Sequence, residues 1–282
     1  PTHVYAQPGT YDVTLTASAG SCADQITLQA TVFEIPVADF TTANVCVGLA
    51  ADFLDNSSVT GSAITQWAWD FDGLGNSVQQ SPSYNFPAAG TYTVTLGVLS
   101  SDFCAATYSE QITIYPVPLP TFTATVVCEG VATTFLNEST VSSGSIAAQA
   151  WDFGDNSGTS LNVSPTYTYS SAGTYAVSLG VTTANGCIAA TFQNVTVNPL
   201  PSVDASHTDI LCAGESNGSA MVAASGGTAP YTYQWNDASQ STSTSIGNLT
   251  PGQYTITVTD AEGCISDTTV VVTEPLPFNI QL

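Results

Sequence analysis

A Gly-Thr-Tyr motif recurs along the chain about every 80 residues, and each copy opens a run in which apolar and polar residues alternate. The copies begin at Gly9, Gly90, Gly173 and, in the relaxed form Gly-Gln-Tyr, Gly252. Within such a run apolar residues occupy every second position, as at Tyr92, Val94 and Leu96. A period of two predicts a strand with one buried face and one solvent face. The chain is therefore expected to fold as a series of small β units.

Each unit carries further β signals around this strand. A cysteine follows the strand, and a second β-rich run such as Gln111–Ile114 follows the cysteine, which predicts a hairpin. A tryptophan-bearing strand precedes the hairpin in three units, at Trp69, Trp151 and Trp235. No amphipathic helical stretch of convincing length is visible. Units of this size and pattern predict an all-β fold of tandem immunoglobulin-like sandwiches, arranged as a beads-on-a-string rod.

Proline-rich joints divide the chain into segments. Proline fixes φ and removes a hydrogen-bond donor, so these joints are expected to be short and fairly stiff. The first segment holds only the closing hairpin of a unit, and the last resembles the first strand of another, so the stretch is expected to be interior to a longer polypeptide or to be completed by a neighbouring copy. The predicted segments are 1–33, 34–116, 117–199, 200–275 and 276–282.

The charges all have one sign. The chain has no Lys or Arg, 22 Asp and Glu and a formal net charge of −22, yet 43% of its residues are hydrophobic, enough for folded cores. Without cationic side chains it cannot neutralise phosphates, which excludes nucleic acid as a partner, and it offers no lysine chemistry and no trypsin site. Self-association or contact with neighbouring repeats, promoted by divalent cations or acid, and contact with extracellular polysaccharide are the expected partnerships. No apolar run reaches membrane-spanning length.

The seven cysteines are widely spaced, with no metal-binding pair among them. Disulfides in an oxidising, extracellular setting are therefore expected. The segment boundaries predict one bridge within each complete unit, closing a loop that contributes about 4 kcal/mol in the chain-entropy model. The predicted pairs are Cys46–Cys104, Cys128–Cys187 and Cys212–Cys264, with the partner of Cys22 outside the chain.

Two groups of motifs resemble known families. Residues 151–155, Trp-Asp-Phe-Gly-Asp, with Gly173–Leu179, resemble the PKD (polycystic kidney disease) domain, and residues 34–115 match it with a changed turn at 70–76. Residues 200–275 are similar to the SprB-type repeat of bacterial gliding adhesins, through 212–220, 226–235 and 260–264. The resemblance implies a large secreted surface protein of the kind that gliding Bacteroidota export through the type IX pathway. A structural stalk or filament segment is expected, and a carbohydrate-binding tip module or an accessory spacer of a secreted hydrolase are the alternatives.

The acidic turns of the two PKD-like segments are candidate calcium sites, although no cofactor is required. Calcium prefers oxygen ligands from Asp, Asn and backbone carbonyls. The competing interpretation is that these carboxylates accept hydrogen bonds from turn amides. No catalytic residue is predicted, because the only histidines, His3 and His207, lie in a fragment and in a domain-opening segment, where both are expected to be exposed. The candidate ligands are Asp70, Asp72 and Asn76 in one turn and Asp152, Asp155 and Asn156 in the other.

The aromatic residues allow two interpretations. They could stack on sugar rings, or the tryptophans could pack in the sandwich cores next to the disulfides. The tyrosine after each repeated glycine is expected to form a tyrosine corner. Asp267-Thr268-Thr269 fits the pattern glycosylated in Bacteroidota proteins, which makes Thr268 a candidate modification site. The aromatics concerned are Trp67, Trp69, Trp151, Trp235, Tyr231 and Tyr233.

Overall fold

The computed structural model describes residues 2–277, and these residues form strands and turns with no helix. None of this part of the chain could therefore cross a membrane as a helix. Two compact units are present: one contains the residues up to Val117 with the loops 141–145 and 183–187, and the other contains 118–140, 146–182 and the residues from Ile188 on. The all-β prediction is confirmed. The strand predicted at 276–282 lies outside the described residues from position 278.

Segment 1–33 forms a single antiparallel hairpin. Strands β1 (Gly9–Ala19) and β2 (Cys22–Val32) pair from Gly9 opposite Val32 to Ala19 opposite Cys22. Val13 and Leu15 face the same side as their partners Leu28 and Ile26, and all four side chains are 45–65% exposed. This apolar face is open among the described residues.

Segment 34–116 forms one five-stranded sheet, in the order β4-β11-β10-β7-β8, and two short ladders, β3-β6 and β5-β9. The edge strand β4 is parallel to β11, and the remaining pairs are antiparallel. Val94, Leu96 and Val98 alternate with less buried residues along β10 and are almost fully buried. The strands are β3 (Phe40–Thr41), β4 (Val45–Cys46), β5 (Ala51–Asp52), β6 (Leu54–Asp55), β7 (Ile64–Phe71), β8 (Asn76–Ser77), β9 (Ser83–Tyr84), β10 (Gly90–Ser100) and β11 (Ala105–Tyr115).

Segment 117–199 repeats this arrangement. Its five-stranded sheet has the order β13-β19-β18-β15-β16, again with a parallel edge pair, β13 and β19, and a three-stranded sheet, β12-β14-β17, accompanies it. Val177, Leu179 and Val181 on β18 are fully buried. The strands are β12 (Phe122–Ala124), β13 (Val127–Cys128), β14 (Ala132–Asn137), β15 (Ile146–Asp152), β16 (Thr159–Ser160), β17 (Thr166–Thr168), β18 (Gly173–Thr183) and β19 (Ile188–Asn198).

Segment 200–275 forms two three-stranded sheets, β20-β21-β23 and β22-β24-β25. Ile256 and Val258 on β24 are fully buried, as their counterparts are on β10 and β18. The strands are β20 (Pro201–Thr208), β21 (Gly218–Gly226), β22 (Thr232–Trp235), β23 (Ser245–Leu249), β24 (Gly252–Thr259) and β25 (Ile265–Val272).

Three separate hydrophobic cores result, one in each of these segments. Each core contains a tryptophan and the alternating apolar residues of the strand that begins at a repeated glycine. Burial of aromatic side chains of this size dominates the hydrophobic stabilisation of such small cores. The prediction of tandem sandwich domains is confirmed.

The four tyrosines that follow the repeated glycines close the predicted corners. In each case the hydroxyl donates to the carbonyl four residues earlier, which fixes the chain where it enters the strand. The tyrosine-corner prediction is confirmed at all four positions. The bonds are Tyr11 to Gln7 at 2.8 Å, Tyr92 to Ala88 at 2.9 Å, Tyr175 to Ser171 at 2.6 Å and Tyr254 to Thr250 at 2.9 Å.

Candidate functional site

The acidic turns after β7 and β15 bind their own backbone amides. Asp70 Oδ1 accepts a hydrogen bond from the Gly73 amide at 2.8 Å, and Asp152 Oδ1 accepts one from the Gly154 amide at 2.9 Å. Asp72 lies in the left-handed region with φ of 58°, beyond the end of β7, so it does not share a strand face with Asp70. The hydrogen-bonding interpretation is therefore confirmed for Asp70 and Asp152.

Asp155 has the most extensive contacts of these carboxylates. Its Oδ1 accepts from the amides of Ser157 at 3.0 Å and Gly158 at 2.8 Å, and its Oδ2 accepts from the Tyr167 hydroxyl. The Tyr167 hydrogen bond, followed by the Gly158 amide, lowers the pKa of Asp155 to about 2, because hydrogen bonds to a carboxylate favour the charged form. The same contact raises the pKa of Tyr167. A Cβ at Gly158 would collide with the Tyr167 ring, so the turn requires glycine here.

The variant Tyr167→Phe is expected to lose about 1 kcal/mol of stability at neutral pH, after allowance for the partial exposure of Asp155. The folded pKa of Asp155 is depressed, so its contribution is present above the ordinary value near 3.8 and is lost as pH falls towards 2. The stability difference between wild type and variant should therefore shrink between about pH 4 and pH 2. Urea unfolding at a series of pH values measures it.

Tyr84→Phe is the matched control. Tyr84 stacks on Phe71 with ring centroids 4.2 Å apart, as Tyr167 stacks on Phe153 at 4.2 Å, but its hydroxyl has no carboxylate partner among the described residues. Its removal should have no effect that depends on pH over this range. Parallel curves for Tyr167→Phe and wild type would show that the Asp155 contact does not contribute to stability.

Calcium binding at these turns stays a prediction. Asn156 occupies the left-handed region with φ of 65°, and Asn76 pairs with Asp70 in the β7–β8 ladder. Within residues 2–277 no group of three or more His, Cys, Asp and Glu side chains is arranged to hold a metal ion.

The predicted core tryptophans are buried. Trp69, Trp151 and Trp235 are each 1–2% exposed, and each indole N–H has a backbone partner inside its sandwich. This confirms the core interpretation for these three residues. The acceptors are the carbonyls of Gln79 at 2.9 Å, Asn162 at 3.0 Å and Ser243 at 3.0 Å.

The remaining aromatic candidates are half-buried. Trp67 packs against the core of segment 34–116, and its Nε1 donates to Asp55 Oδ2 at 2.7 Å. Tyr231 and Tyr233 pack against the core of segment 200–275, and the Tyr231 hydroxyl donates to the Gly226 carbonyl. Among the described residues, these six aromatics therefore do not form an exposed row.

His3 lies in segment 1–33, and His207 and the candidate modification site Thr268 lie in segment 200–275. His207 Nε2 is 3.6 Å from Asp209 Oδ1, and His3 contacts the ring of Tyr5. Thr268 lies on β25 opposite Ile256. Glycosylation of Thr268 stays a prediction.

The disulfides connect segment 34–116 to segment 117–199, and segment 117–199 to segment 200–275. Cys46 bonds to Cys187, and Cys128 bonds to Cys264, with Cα–Cα distances of 5.7 and 5.5 Å. Cys22, Cys104 and Cys212 are unpaired. The predicted pairs Cys46–Cys104, Cys128–Cys187 and Cys212–Cys264 are therefore wrong, as is the expected packing of the tryptophans against bridges within each sandwich.

Strand register explains the correction. Cys46 lies opposite Tyr115, at the end of β11, whereas Cys104 precedes its first residue. At about 3.3 Å per residue the eleven residues of β11 separate the two cysteines by roughly 36 Å, far beyond the roughly 4.4–6.8 Å between the Cα atoms of bonded cysteines. Cys128 likewise lies opposite Asn198 at the end of β19, while Cys187 precedes that strand. Segments 34–116 and 117–199 therefore each hold their two cysteines at opposite ends.

One sequence signal could have revealed this pairing. The first cysteine of a segment follows its proline joint by about ten residues, as Cys46 follows Pro36. It lies at the end of the sheet where the segment's last strand ends and the next proline joint begins, and Cys46 accordingly lies opposite Tyr115, next to Pro116. The hairpin cysteine lies one strand length, eleven residues in β19, before the joint at Pro199. Counting strand residues from the joints therefore places Cys46 at the end of segment 34–116 that adjoins the joint at 116–120. The same count places Cys187 at the end of segment 117–199 that adjoins this joint.

The two bridges close large, overlapping loops. Cys46–Cys187 spans 141 residues and Cys128–Cys264 spans 136, and the loops share residues 128–187. Every peptide bond between positions 46 and 264 thus lies within at least one closed loop. In the chain-entropy model a loop of this length stabilises the folded state by about 5 kcal/mol.

Comparisons with known proteins agree with this architecture. The PKD domain profile matches residues 34–114 and 115–197, and the SprB repeat profile matches residues 205–240. A microbial collagenase of Vibrio alginolyticus is 37% identical over 95 residues, which is 33% of this chain and 12% of the collagenase. The chain thus spans about an eighth of that relative.

Solved structures include similar single domains. The PKD1 domain of Vibrio anguillarum Epp is 24% identical, with a TM-score of 0.28, and aligns with 29% of this chain and 96% of its own length. The PKD1 domain of the Vibrio cholerae metalloprotease PrtV is 26% identical, with a TM-score of 0.27 over 28% of this chain and 96% of its own. Because the two profile matches to the PKD domain cover more than half of its 282 residues, this chain belongs to the PKD domain family and carries an SprB repeat after its two PKD domains.

Proposed function

We propose that this chain is a non-enzymatic, load-bearing segment of a large secreted bacterial surface protein, either the stalk of an adhesin or an extracellular fibre. The observation that carries the proposal is the pair of disulfides that connect segment 34–116 to segment 117–199 and segment 117–199 to segment 200–275. Because every peptide bond between positions 46 and 264 lies within a disulfide-closed loop, one broken bond there leaves the polypeptide in one piece. This property benefits a strut in a proteolytic environment and is not needed for an isolated binding module.

Composition supports the same role. The chain has no Lys or Arg, so proteases that require a basic residue have no cleavage site in it. Its two disulfide bridges also suit the oxidising space outside the cell, where disulfides persist. Durability outside the cell is therefore the feature that sequence and fold share.

The carbohydrate-binding alternative has less support. Sugar platforms use exposed aromatic rings, whereas Trp69, Trp151 and Trp235 lie in the cores and bind backbone carbonyls. Trp67 is half-buried against the core of segment 34–116, and Tyr231 and Tyr233 are half-buried against the core of segment 200–275.

The second candidate is an accessory segment of a secreted hydrolase. The similarity to part of a microbial collagenase favours this candidate, because the matching 95 residues make up only 12% of that much longer protein. In this case the reaction would belong to residues outside positions 1–282, and the segments would act as spacers.

The proposed partners are neighbouring repeats and further copies of the chain. At neutral pH a net charge of −22 keeps copies apart, and divalent cations or a pH near the isoelectric point of about 4.1 would reduce this repulsion. Calcium would act here by screening the acidic surface.

Immunogold electron microscopy tests the function directly. Antibodies raised against the full chain should label surface fibres of the producing cells repeatedly along their length. Label only at fibre tips would overturn the stalk role in favour of a tip module. Label absent from the cell surface, with the antigen in the medium co-purifying with a hydrolase activity, would overturn it in favour of the accessory segment.

A further inference from the structure

The three unpaired cysteines occupy positions at which the same chain elsewhere forms disulfides. Cys22 and Cys104 follow the strands β1 and β10, as Cys187 and Cys264 follow β18 and β24. Cys212 follows Pro201 by about the interval at which Cys46 follows Pro36. Each unpaired cysteine thus has two bonded counterparts in this structure.

The hairpin turns that hold these cysteines are built alike. Ser100 accepts from the Cys104 amide at 3.2 Å through its side chain, and Thr183 accepts from the Cys187 amide at 3.1 Å in the same way. In the third turn Asp260 Oδ1 accepts from the Cys264 amide at 2.8 Å. A second hydrogen bond runs in the opposite direction in each turn: the backbone amides of Ser100, Thr183 and Asp260 donate to the carbonyls of Cys104, Cys187 and Cys264, respectively. The backbone at Cys104 is therefore prepared as it is at the bonded positions.

Burial separates the bonded hairpin cysteines from the unbonded one. Cys187 and Cys264 are 1% and 0% exposed, whereas Cys104 is partly exposed. The turn after Cys212 matches the turns after the bonded first cysteines, with the Glu215 amide donating to the Cys212 carbonyl as the Leu49 amide donates to that of Cys46. Cys212 is exposed.

We propose that the bridges follow one rule along the polypeptide: the first cysteine of each repeat bonds to the hairpin cysteine of the next repeat. By this rule Cys212 is a disulfide site for the hairpin cysteine of a following PKD or SprB repeat, and Cys104 is one for the first cysteine of a preceding repeat. The rule rests on the two observed bridges, not on the proposed stalk function. The partner is a further repeat in the same polypeptide.

The bond forms by thiol–disulfide exchange. The thiolate of one cysteine attacks an oxidised disulfide such as glutathione disulfide, and one glutathione leaves as its thiol. The second cysteine then attacks the mixed disulfide and releases the second glutathione. Two protein thiols lose two electrons and two protons, and one glutathione disulfide becomes two glutathione thiols.

An extended chain tests the rule. The joint Pro275-Leu276-Pro277 repeats Pro199-Leu200-Pro201, so a second copy of residues 202–277 can be appended directly after Pro277. After refolding in a glutathione redox buffer, free thiols are alkylated and counted by intact mass. The rule predicts three free thiols, those of Cys22, Cys104 and the added copy of Cys212, whereas an added repeat that forms no bond leaves five.

The variant Cys212→Ser of the extended chain identifies the bond. It should have four free thiols if the added hairpin cysteine bonds to Cys212, and two if that cysteine bonds within its own repeat. Two thiols would overturn the rule, and so would covalent dimers that disappear in Cys212→Ser. A second extension that appends residues 119–201, with the Cys187 turn, guards against a misfolded addition. Five free thiols in both extensions would also overturn the rule.

Discussion

Replacing Trp151 with alanine is expected to destabilise segment 117–199 by about 3–5 kcal/mol. The indole is 2% exposed, with its ring centroid 5.1 Å from that of Phe122 and 5.5 Å from that of Phe135. Its loss opens a cavity and also leaves the Asn162 carbonyl without its donor. Small domains are stable by only about 5–15 kcal/mol, so this change removes much of the stability of the segment.

Amide hydrogen exchange on the full chain measures this effect segment by segment. Because the three cores are separate, protection should fall within residues 122–197 and persist in the strands of 200–275. Phe192→Ala is the control, since Phe192 lies on β19 of the same segment but is 75% exposed. Equal protection in Trp151→Ala and Phe192→Ala would contradict the core assignment.

The strands that carry the cores were predictable because their signal is local. Alternation at Val94, Leu96 and Val98 indicates a strand with one buried face, whatever surrounds it. The corner tyrosines could be predicted from the Gly-Thr-Tyr motif, because each one lies two residues after the repeated glycine. The tryptophans could also be assigned, since a large ring in a central strand of a sandwich gains most by burial. The two-residue strands such as β5 and β9 were not predictable, because a period cannot be recognised in two residues.

The acidic turns were predicted in part. Hydrogen bonding of Asp70 and Asp152 to turn amides depends on neighbours within three residues, so sequence indicates it. The bond from Tyr167 to Asp155 spans twelve residues and depends on how β17 returns beside the turn. That contact sets the pKa of Asp155 and could not be inferred from the motif alone.

The disulfide pairing was predicted wrongly because cysteines were paired by their shared repeat, and not by the end of the sheet that each one occupies. Cys46 and Cys104 fall in one repeat, yet β11 holds them a strand length apart. Only the parallel pairing of the short strand β4 with the end of β11 fixes the position of Cys46. A two-residue parallel pair carries no periodic signature of its own, so the position of Cys46 has to be counted from the proline joints.

A single engineered cleavage site tests the central claim, that disulfides connect successive repeats. The chain lacks Lys and Arg, so Val126→Lys creates one trypsin site, at an exposed residue in the connection between β12 and β13. This site lies between Cys104 and Cys128 along the chain. Ser206→Lys creates one between Cys187 and Cys212. Free thiols are alkylated in denaturant before digestion, which prevents exchange, and wild type is the uncut control.

Non-reducing electrophoresis of the digests gives the decisive measurement. The two fragments of Val126→Lys should migrate together through Cys46–Cys187, and those of Ser206→Lys through Cys128–Cys264, and both pairs should separate on reduction. Adding Cys187→Ser should release the first pair without reductant, and adding Cys264→Ser should release the second. Bridges confined to single repeats cross neither site, so fragments that separate without reductant in both variants would contradict the account.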